Sequence, residues 1–325
     1  MNYRTLGKTG YKISDIGFGA WAIGGSSWGP QSDSDSIRAL HRAIDNGVNF
    51  IDTAQGYGDG HSERLIAKVL KEREETVYVA TKTPAKAPGH WPPAAHERWQ
   101  DRYPEDYLRE NVESRLKNLG VERLDLLQLH TWTRAWNADP QPFETLAALK
   151  KEGKIGAIGV STPEPDQNAV IDLMKGGWVD TVQVIYNIFD QHPAAGILPV
   201  ALQENVGIIV RVALEKGALT GKFTYDTQFP KGDGRSHYFG GTRLKRVVDR
   251  VEKIREEFKD THYSMAELAM RFVLDHPAVT TVIAGMRNER QVELNTPVSD
   301  LSPLPKERRA DLFKHEWHRQ FWFSQ

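Results

Sequence analysis

Four side chains that could together perform acid–base chemistry stand at or just after the ends of predicted strands. Asp52, Lys82 and His130 each close a short apolar run, and Tyr57 follows Asp52 in the next loop. The carboxyl ends of the strands of a parallel barrel converge on one mouth, so these residues can meet there. Taken singly, each has a structural explanation: a buried Asp52–Lys82 ion pair, a turn tyrosine and a satisfied core histidine. Together they favour catalysis, because burying charge without a function is costly.

The segments that would position these residues are short apolar runs that alternate with amphipathic stretches. Several runs carry β-branched and apolar residues consecutively, as strands buried on both faces do. Eight strands, each followed by helical material, predict an α/β protein with a (β/α)₈ TIM barrel and not an open sheet. The predicted strands are Ile16–Trp21, Val48–Ala54, Val77–Lys82, Asp125–His130, Ala157–Thr162, Val179–Asn187, Gly207–Val212 and Val279–Gly285. The predicted helices include one that opens at a Ser34/Asp35 cap and the segments Asp106–Leu119, Phe143–Lys151 and Met265–Leu274.

Three further segments lie outside this alternation of strands and helices. Residues Tyr3–Ser14 predict an N-terminal β-hairpin that turns near Lys8–Gly10 and plugs one end of the barrel. Thr83–Pro104 and Phe223–Gly241 predict long loops after the third and seventh strands, on the C-terminal face where barrel active sites lie. No linker or repeat divides the chain, so residues 1–325 are predicted to form a single domain.

The composition excludes several classes of protein. The 325 residues are 39% hydrophobic, enough for a sizeable core, and include no cysteine, which rules out a disulfide scaffold, a Cys-ligated metal site and a thiol nucleophile. A net charge of −1 argues against a nucleic-acid partner. No apolar run has the length of a signal-peptide core or a membrane span, which predicts a cytoplasmic protein without a membrane partner. An oligomer is compatible with the sequence, which does not define one.

Three segments imitate known motifs without the context that these motifs require. Gly17–Ala22 satisfies the dinucleotide fingerprint, but no helix can begin in the Gly- and Ser-rich residues that follow. Gly217–Lys222 has one residue too few for a phosphate loop, and Phe223 stands where a magnesium-binding hydroxyl is needed. His315–His318 is one residue short of a zinc-protease helix and is interpreted as part of a solvated helix face, so no metal site is predicted.

Motifs along nearly the whole chain resemble those of the aldo-keto reductases, in that family's order up to about Asn295. The matching segments are Phe50–Glu63, Leu124–His130, Gly159–Ser161, Gln183–Asn187, Leu219–Lys222 and Gly285–Asn295. The resemblance implies a (β/α)₈ barrel that reduces small aldehydes and ketones with NADP(H). It also implies a catalytic tetrad, which maps onto Asp52, Tyr57, Lys82 and His130.

The residue types fit that chemistry independently of the resemblance. Hydride reduction of a carbonyl leaves an oxyanion that needs a proton, and a tyrosine holds its proton at neutral pH and can donate it. The Lys82 ammonium is expected to lower the pKa of Tyr57 towards neutrality, while Asp52 keeps Lys82 charged and in place. His130 would donate a hydrogen bond that orients the carbonyl oxygen.

The resemblance further implies a cofactor cradle. Ser161 and Gln183 would bind the nicotinamide carboxamide, and Leu214–Lys222 would lie along the pyrophosphate. The helix after the eighth strand would hold the adenosine end, with Arg287 directed at the ribose 2′-phosphate. The complete predicted cofactor set is Trp21, Asp52, Ser161, Gln183, Arg211, Leu214, Gly217, Lys222, Gly285, Arg287, Gln291 and Asn295.

Two positions depart from the pattern common in the family. Thr162 stands after Ser161 where many relatives have Asn, which puts one contact to the carboxamide in doubt. Arg211 stands where many have an aromatic residue stacked on the nicotinamide. A guanidinium can stack on a ring in the same way, or it can approach the substrate.

Aromatic residues supply the remaining substrate candidates. The predicted substrate contacts are Trp21, Tyr57, His130 and Trp132. Tryptophans 21, 28, 91 and 132 and the tail aromatics either line an apolar pocket or pack against one another. The tail aromatics, Trp317, Phe321, Trp322 and Phe323, are expected to cover the barrel mouth or a neighbouring subunit, or to pack on the outer helices.

Functions from three classes are compatible with these residues. The leading hypothesis is an NADPH-dependent reductase of aldehydes and ketones, with sugar-like and aromatic carbonyls among its candidate substrates. The chief rival is an NADP(H)-sensing regulatory subunit with slow turnover, since some members of the family resembled act as regulatory subunits. A hydrolase that uses carboxylates is disfavoured, because Asp52 has a lysine partner and no second carboxylate closes an equivalent strand.

Overall fold

The computed structural model describes residues 1–25 and 28–317 and consists of a small hairpin and a closed eight-stranded barrel. The hairpin pairs β1 with β2 in antiparallel register. The barrel runs from β3 to β10 with every neighbouring pair parallel, and β10 closes it against β3. The strands are β1 Tyr3–Thr5, β2 Lys12–Ser14, β3 Ile16–Gly19, β4 Phe50–Asp52, β5 Tyr78–Thr83, β6 Leu124–Leu129, β7 Ile155–Ser161, β8 Thr181–Ile185, β9 Gly207–Arg211 and β10 Val279–Gly285. The predicted TIM barrel is confirmed.

Helices occupy the segments between the barrel strands and follow the last of them. They are α1 Asp33–Asp45, α2 His61–Leu70, α3 Trp99–Arg102, α4 Glu105–Leu119, α5 Gln141–Lys151, α6 Ile171–Lys175, α7 Ile197–Gln203, α8 Arg235–Tyr238, α9 Arg243–Glu257, α10 Met265–Leu274, α11 Glu289–Asn295 and α12 Lys306–Phe313. The predicted cap of α1 is wrong by two to three residues. Ser32 has an extended backbone and its hydroxyl accepts the Asp35 N–H, which makes it the N-cap. In the described residues no helix is long and apolar enough to cross a membrane.

The hairpin closes the N-terminal end of the barrel. Leu6 and Ile13 are fully buried and form one apolar cluster with inward-facing residues of the barrel strands. The strand members of this cluster are Phe50, Ala80, Leu126, Ala157 and Ile209. The predicted plug is therefore confirmed, and the polar ends of the strands lie towards the other end of the barrel.

The two segments predicted as long loops do lie after β5 and β9, but each contains a short helix, α3 and α8 respectively. The second loop reaches the loop after β3, where Trp28 and Asp233 form an isolated antiparallel bridge. The Arg235 guanidinium also lies 5.1 Å from the centre of the Trp28 ring. Two loops that are far apart in sequence thus meet at the C-terminal face.

The described part of the tail packs on the body of the protein. Trp317 is buried, its backbone N–H donates to the Phe189 carbonyl, and the Arg250 guanidinium lies 4.7 Å from its ring centre. His315 is also buried, 2.9 Å from a Glu257 carboxylate oxygen, so its predicted place on a solvated helix face is wrong. Trp317 thus follows the packing alternative. The other three aromatics of the tail, Phe321, Trp322 and Phe323, lie outside the described residues.

Candidate active site

The four residues of the predicted tetrad meet at the C-terminal end of the barrel. The Lys82 ammonium lies 2.6 Å from Asp52 Oδ2 and 3.1 Å from the Tyr57 hydroxyl, and it donates to the Thr53 carbonyl at 2.8 Å. The His130 ring stands edge-on to the Tyr57 ring with 5.9 Å between the ring centres. Asp52 and Lys82 are almost completely buried, whereas Tyr57 keeps 9% of its surface exposed and His130 is half-buried. The phenol and the imidazole are therefore the members that a substrate can reach.

The Asp52 carboxylate is held by two amides as well as by Lys82. Gln183 Nε2 donates to Asp52 Oδ1 at 2.7 Å, and Gln128 Nε2 donates to the same oxygen at 3.3 Å. Both glutamines are buried inside the barrel. Sequence reasoning missed Gln128, although a polar side chain near the end of the mainly apolar run Leu124–Leu129 was a usable signal. The amides hold the carboxylate that anchors Lys82.

A glycine contact fixes the loop that carries Tyr57. Gly58 has a φ of +71°, and a Cβ at this position would lie 2.1 Å from the Gly24 carbonyl oxygen. Only glycine permits such a close approach of two backbones. Beyond the loop, the Ser62 hydroxyl donates to the Ala20 carbonyl, which ties the start of α2 to the end of β3. The segment Phe50–Glu63, whose motif pointed to Tyr57, therefore also fixes the position of the loop that carries it.

Burial dominates the protonation of these groups. It raises the pKa of Tyr57 above its ordinary value even though the Lys82 ammonium acts to lower it. The expectation that Lys82 brings the pKa of Tyr57 towards neutrality is wrong for this structure, because desolvation outweighs the nearby charge. For Lys82 itself burial lowers the pKa, but Asp52 and Tyr57 together raise it overall. Burial, reinforced by Lys82 and Arg211, holds the pKa of His130 well below its usual range. At neutral pH the site therefore holds a protonated phenol beside a charged ammonium and a neutral imidazole.

Aromatic rings continue outward from this centre. Trp21 stacks on Tyr57 with 6.1 Å between ring centres, and Trp28 stands edge-on to Trp21. On the other side, Trp91 stands edge-on to His130 with 5.0 Å between ring centres. Trp21 and Trp28 thus pack against each other, and Trp21 and Trp91 also contact Tyr57 and His130 of the candidate site.

Trp132 differs from them. Its side chain is fully buried, its indole N–H donates to Asn137 Oδ1 at 2.8 Å, and it packs against Trp136 and Phe143. A substrate in the mouth would have to displace this packing in order to touch the ring. The predicted substrate contact of Trp132 therefore does not fit its position.

The predicted nicotinamide contacts lie on adjacent strands. Ser161, at the end of β7, is the register partner of Gln183 in the middle of β8, and both are buried. Arg211 ends β9, where one guanidinium nitrogen donates to the Thr162 carbonyl at 3.0 Å and another lies 3.4 Å from Glu164. The Arg211 Nε is buried, and none of the described residues is its hydrogen-bond partner. Arg211 therefore faces Thr162, the other position at which the sequence departs from its relatives.

The predicted pyrophosphate segment, Leu214–Lys222, is a run of helical turns with an irregular backbone. Lys216 and Gly217 both have positive φ, which breaks the run at this point. The Arg235 guanidinium lies 3.8 Å from where a Cβ on Gly217 would be. Lys222, at the end of the segment, is exposed. Cationic side chains therefore border this backbone.

The predicted adenosine end follows β10, which ends at Gly285. The Asn295 amide donates to the Gly285 carbonyl at 3.4 Å, and the Arg287 N–H donates to Gln291 Oε1 at 2.6 Å. The Arg287 guanidinium donates to Gln31 Oε1 at 2.8 Å. Its Nη2 donates to the Pro30 carbonyl at 2.6 Å. Arg287 thus joins the segment before α11 to the loop after β3.

The charged side chains near Gly217 and Arg287 suit an anionic ligand. Burial lowers the pKa of Arg287, and the Arg235 guanidinium lowers it further, with only the Asp233 carboxylate acting against them. The Arg235 guanidinium is itself paired with Asp233 at 2.7 Å. Guanidinium groups such as Arg287 suit planar, charge-assisted hydrogen bonds to phosphate. The residues present therefore fit a ligand that carries phosphate, such as a dinucleotide.

Comparisons with known proteins agree with this geometry. A sequence profile of the aldo/keto reductase family matches residues 15–316. An aldo-keto reductase of Bacillus subtilis, YhdN, is 33% identical over 303 residues, covering 90% of this chain and 87% of that protein. The NADH-specific methylglyoxal reductase of Escherichia coli is 29% identical, covering 91% and 93% of the two chains.

A solved structure extends the likeness to three dimensions. The glycerol dehydrogenase of Gluconobacter oxydans superimposes with a TM-score of 0.78 at 30% identity, over 96% of this chain and 94% of that one. Fold, profile and strand-end geometry all agree. The chain belongs to the aldo/keto reductase family and is an oxidoreductase of that family.

Proposed function

We propose that the protein reduces aldehydes and ketones to alcohols with NADPH, with Tyr57 as the proton donor. The observation that carries this proposal is the position of the Lys82 ammonium between Asp52, at 2.6 Å, and the Tyr57 hydroxyl, at 3.1 Å. An Asp52–Lys82 ion pair with a purely structural function does not need the Tyr57 hydroxyl as a further partner of the ammonium. Tyr57 is the member of this group that faces the mouth.

Each residue has a defined part in the proton transfer. Asp52, held by Gln128 and Gln183, keeps the Lys82 ammonium charged and directed at the phenol. The Lys82 ammonium stabilises the phenolate that forms when Tyr57 gives its proton to the carbonyl oxygen. A neutral His130 keeps one ring N–H, which it donates to the same carbonyl oxygen and thereby orients it.

The cofactor supplies the hydride when it is bound. We place the nicotinamide at Ser161 and Gln183, the pyrophosphate along Leu214–Lys222 and the adenosine at Gln291 and Asn295. Gln183 would then have to share its amide between the nicotinamide and Asp52, to which it donates in this structure. Arg211, at the end of the neighbouring strand, would stack on the nicotinamide or approach the substrate.

We propose NADPH and not NADH as the preferred cofactor. The support is the half-buried Arg287 guanidinium just before α11, with the Asp233-paired Arg235 guanidinium nearby, where the 2′-phosphate would lie. The methylglyoxal reductase of E. coli is NADH-specific, so membership of the family does not by itself select the cofactor. We also propose that residues 1–325 act as one catalytic domain in the cytoplasm.

Spectrophotometry with both cofactors tests the proposal. The purified protein is mixed with NADPH or NADH and a panel of aldehydes and ketones, and the absorbance of the reduced nicotinamide is followed. Rapid loss that depends on the carbonyl compound and is faster with NADPH is the expected result. Tight NADPH binding without turnover would overturn the reductase and indicate a cofactor-sensing subunit.

A further inference from the structure

One loop places an exposed indole directly against the candidate active site. Trp91 lies in the loop between β5 and α3, and 56% of its surface is exposed. Its ring is perpendicular to that of His130, at 5.0 Å between ring centres. Trp21, 37% exposed, is stacked on Tyr57. The Tyr57–His130 pair is thus flanked by two partly exposed indoles: Trp21 contacts Tyr57, and Trp91 contacts His130.

A mostly buried ion pair holds the Trp91 loop in shape. The Arg102 guanidinium pairs with Glu97 at 2.7 Å and donates to the His90 carbonyl at 3.1 Å and the Pro88 carbonyl at 3.3 Å. Glu97 in turn accepts the backbone N–H groups of His90 and Ala94. The backbone on both sides of Trp91 is therefore tied to the same two charged side chains.

A neighbouring tryptophan shows what a purely structural indole looks like in this region. Trp136 is 4% exposed, and its N–H donates to the Glu97 carbonyl at 2.7 Å. Trp136 is therefore a buried side chain that holds the backbone of Glu97, one member of the ion pair. Trp91 is more than half exposed, and none of the described residues is a hydrogen-bond partner of its indole N–H. Packing the loop does not account for its presence.

We propose that Trp91 is a specificity-determining residue that selects carbonyl substrates bearing a planar or cyclic apolar group. This inference rests on the proposed reductase activity. With its carbonyl oxygen at Tyr57 and His130, such a substrate places its ring against the exposed indole. Apolar and aromatic contact with a ring of this size favours cyclic substrates over short aliphatic ones. Because the Glu97–Arg102 pair orders the loop in advance, substrate binding does not have to order it.

Paired substrates and paired variants test this assignment. The rates for benzaldehyde and propanal are compared in the wild type, in Trp91→Ala and in Leu202→Ala, which removes an exposed apolar side chain from α7. We expect Trp91→Ala to lower kcat/KM for benzaldehyde about tenfold, mainly through KM, because ring contacts of this kind correspond to about that factor. Propanal should change less than about twofold, and Trp91→Phe should restore part of the benzaldehyde rate.

The outcomes separate the inference from the activity on which it rests. If the wild type reduces neither aldehyde, the proposed function is wrong. If the wild type reduces both and Trp91→Ala changes the two rates equally, or neither, Trp91 does not select the substrate and the inference is wrong. Thermal unfolding of each variant identifies a loss of folding, and Trp91→Phe then provides the same comparison in a conservative background. Leu202→Ala should leave the ratio of the two rates unchanged.

Discussion

The buried cluster around Lys82 and the loop contacts around Arg287 are positioned in different ways. In the cluster, Asp52 pairs with Ala80 and Lys82 pairs with Gln128 across neighbouring strands, so the register of the barrel sets the geometry. Arg287 is held by a side chain and a carbonyl of a loop more than 250 residues away in sequence. The reacting groups thus depend on the rigid sheet, and the groups that would recognise ligands depend on contacts between loops.

Removing the Tyr57 hydroxyl from the buried cluster should cause the largest loss of turnover. Tyr57→Phe keeps the ring but removes the proton donor, so we expect turnover to fall by roughly 10²- to 10⁴-fold. The affinity for NADPH, measured by quenching of protein fluorescence, should stay nearly unchanged. A variant that keeps most of its activity would show that Tyr57 is not the donor.

Loss of Arg287 should affect binding and leave the chemistry intact. Hydrogen bonds to charged groups contribute about 1.5–3 kcal/mol, so Arg287→Ala should weaken NADPH binding by roughly 10- to 150-fold. Arg290→Ala, which changes an exposed arginine of the following helix α11, is the control. NADH affinity should change far less, and both affinities are measured by titration. Equal losses for the two cofactors would mean that Arg287 only holds the loop through Gln31 and Pro30.

Gln128 offers a smaller test of how the sheet supports the chemistry. Gln128→Met preserves the side-chain volume but removes one donor from Asp52, so we expect kcat to fall about tenfold with little change in KM. Thr281→Val, which changes another buried polar side chain of the barrel, should leave kcat unaltered. If KM rises instead, Gln128 belongs with the ligand-binding residues and not with the positioning of Lys82.

The smallest effect is expected from pH. Because burial raises the pKa of Tyr57 and lowers that of His130, neither group should change its protonation near neutrality. Carbonyl reduction uses the protonated phenol, so kcat/KM should vary less than about twofold between about pH 6 and 9 and fall only at higher pH. Alcohol oxidation uses the phenolate and should increase with pH. A reduction profile with a midpoint near neutrality would contradict these directions.

The sequence allowed the strand-end residues to be predicted, because parallel strands bring their carboxyl ends together whatever the loops do. Asp52, Lys82 and His130 could be placed in one mouth on that ground alone. The pKa direction of Tyr57 could not be predicted, because it depends on how far burial outweighs Lys82, which only packing reveals. Trp132 and Trp91 carry the same side chain after neighbouring strands, yet one is buried and the other exposed. Their difference arises from tertiary contacts, such as the hydrogen bond from Trp132 to Asn137 and the Glu97 contacts that hold the loop around Trp91, which no spacing encodes.

The apolar plug at the N-terminal end limits how the side-chain hydrogens of the site exchange with water. Leu6 and Ile13 seal the barrel floor, so the labile hydrogens of Lys82 and Tyr57 can exchange with bulk water only at the upper opening. Cofactor and carbonyl compound would together occupy that opening. The hydrogen delivered in one catalytic cycle is then the one carried by the phenol before the ligands entered. Exchange of these side-chain hydrogens, followed by NMR in D₂O, should therefore be slower in the complex with both ligands than in the free enzyme, whose opening admits water.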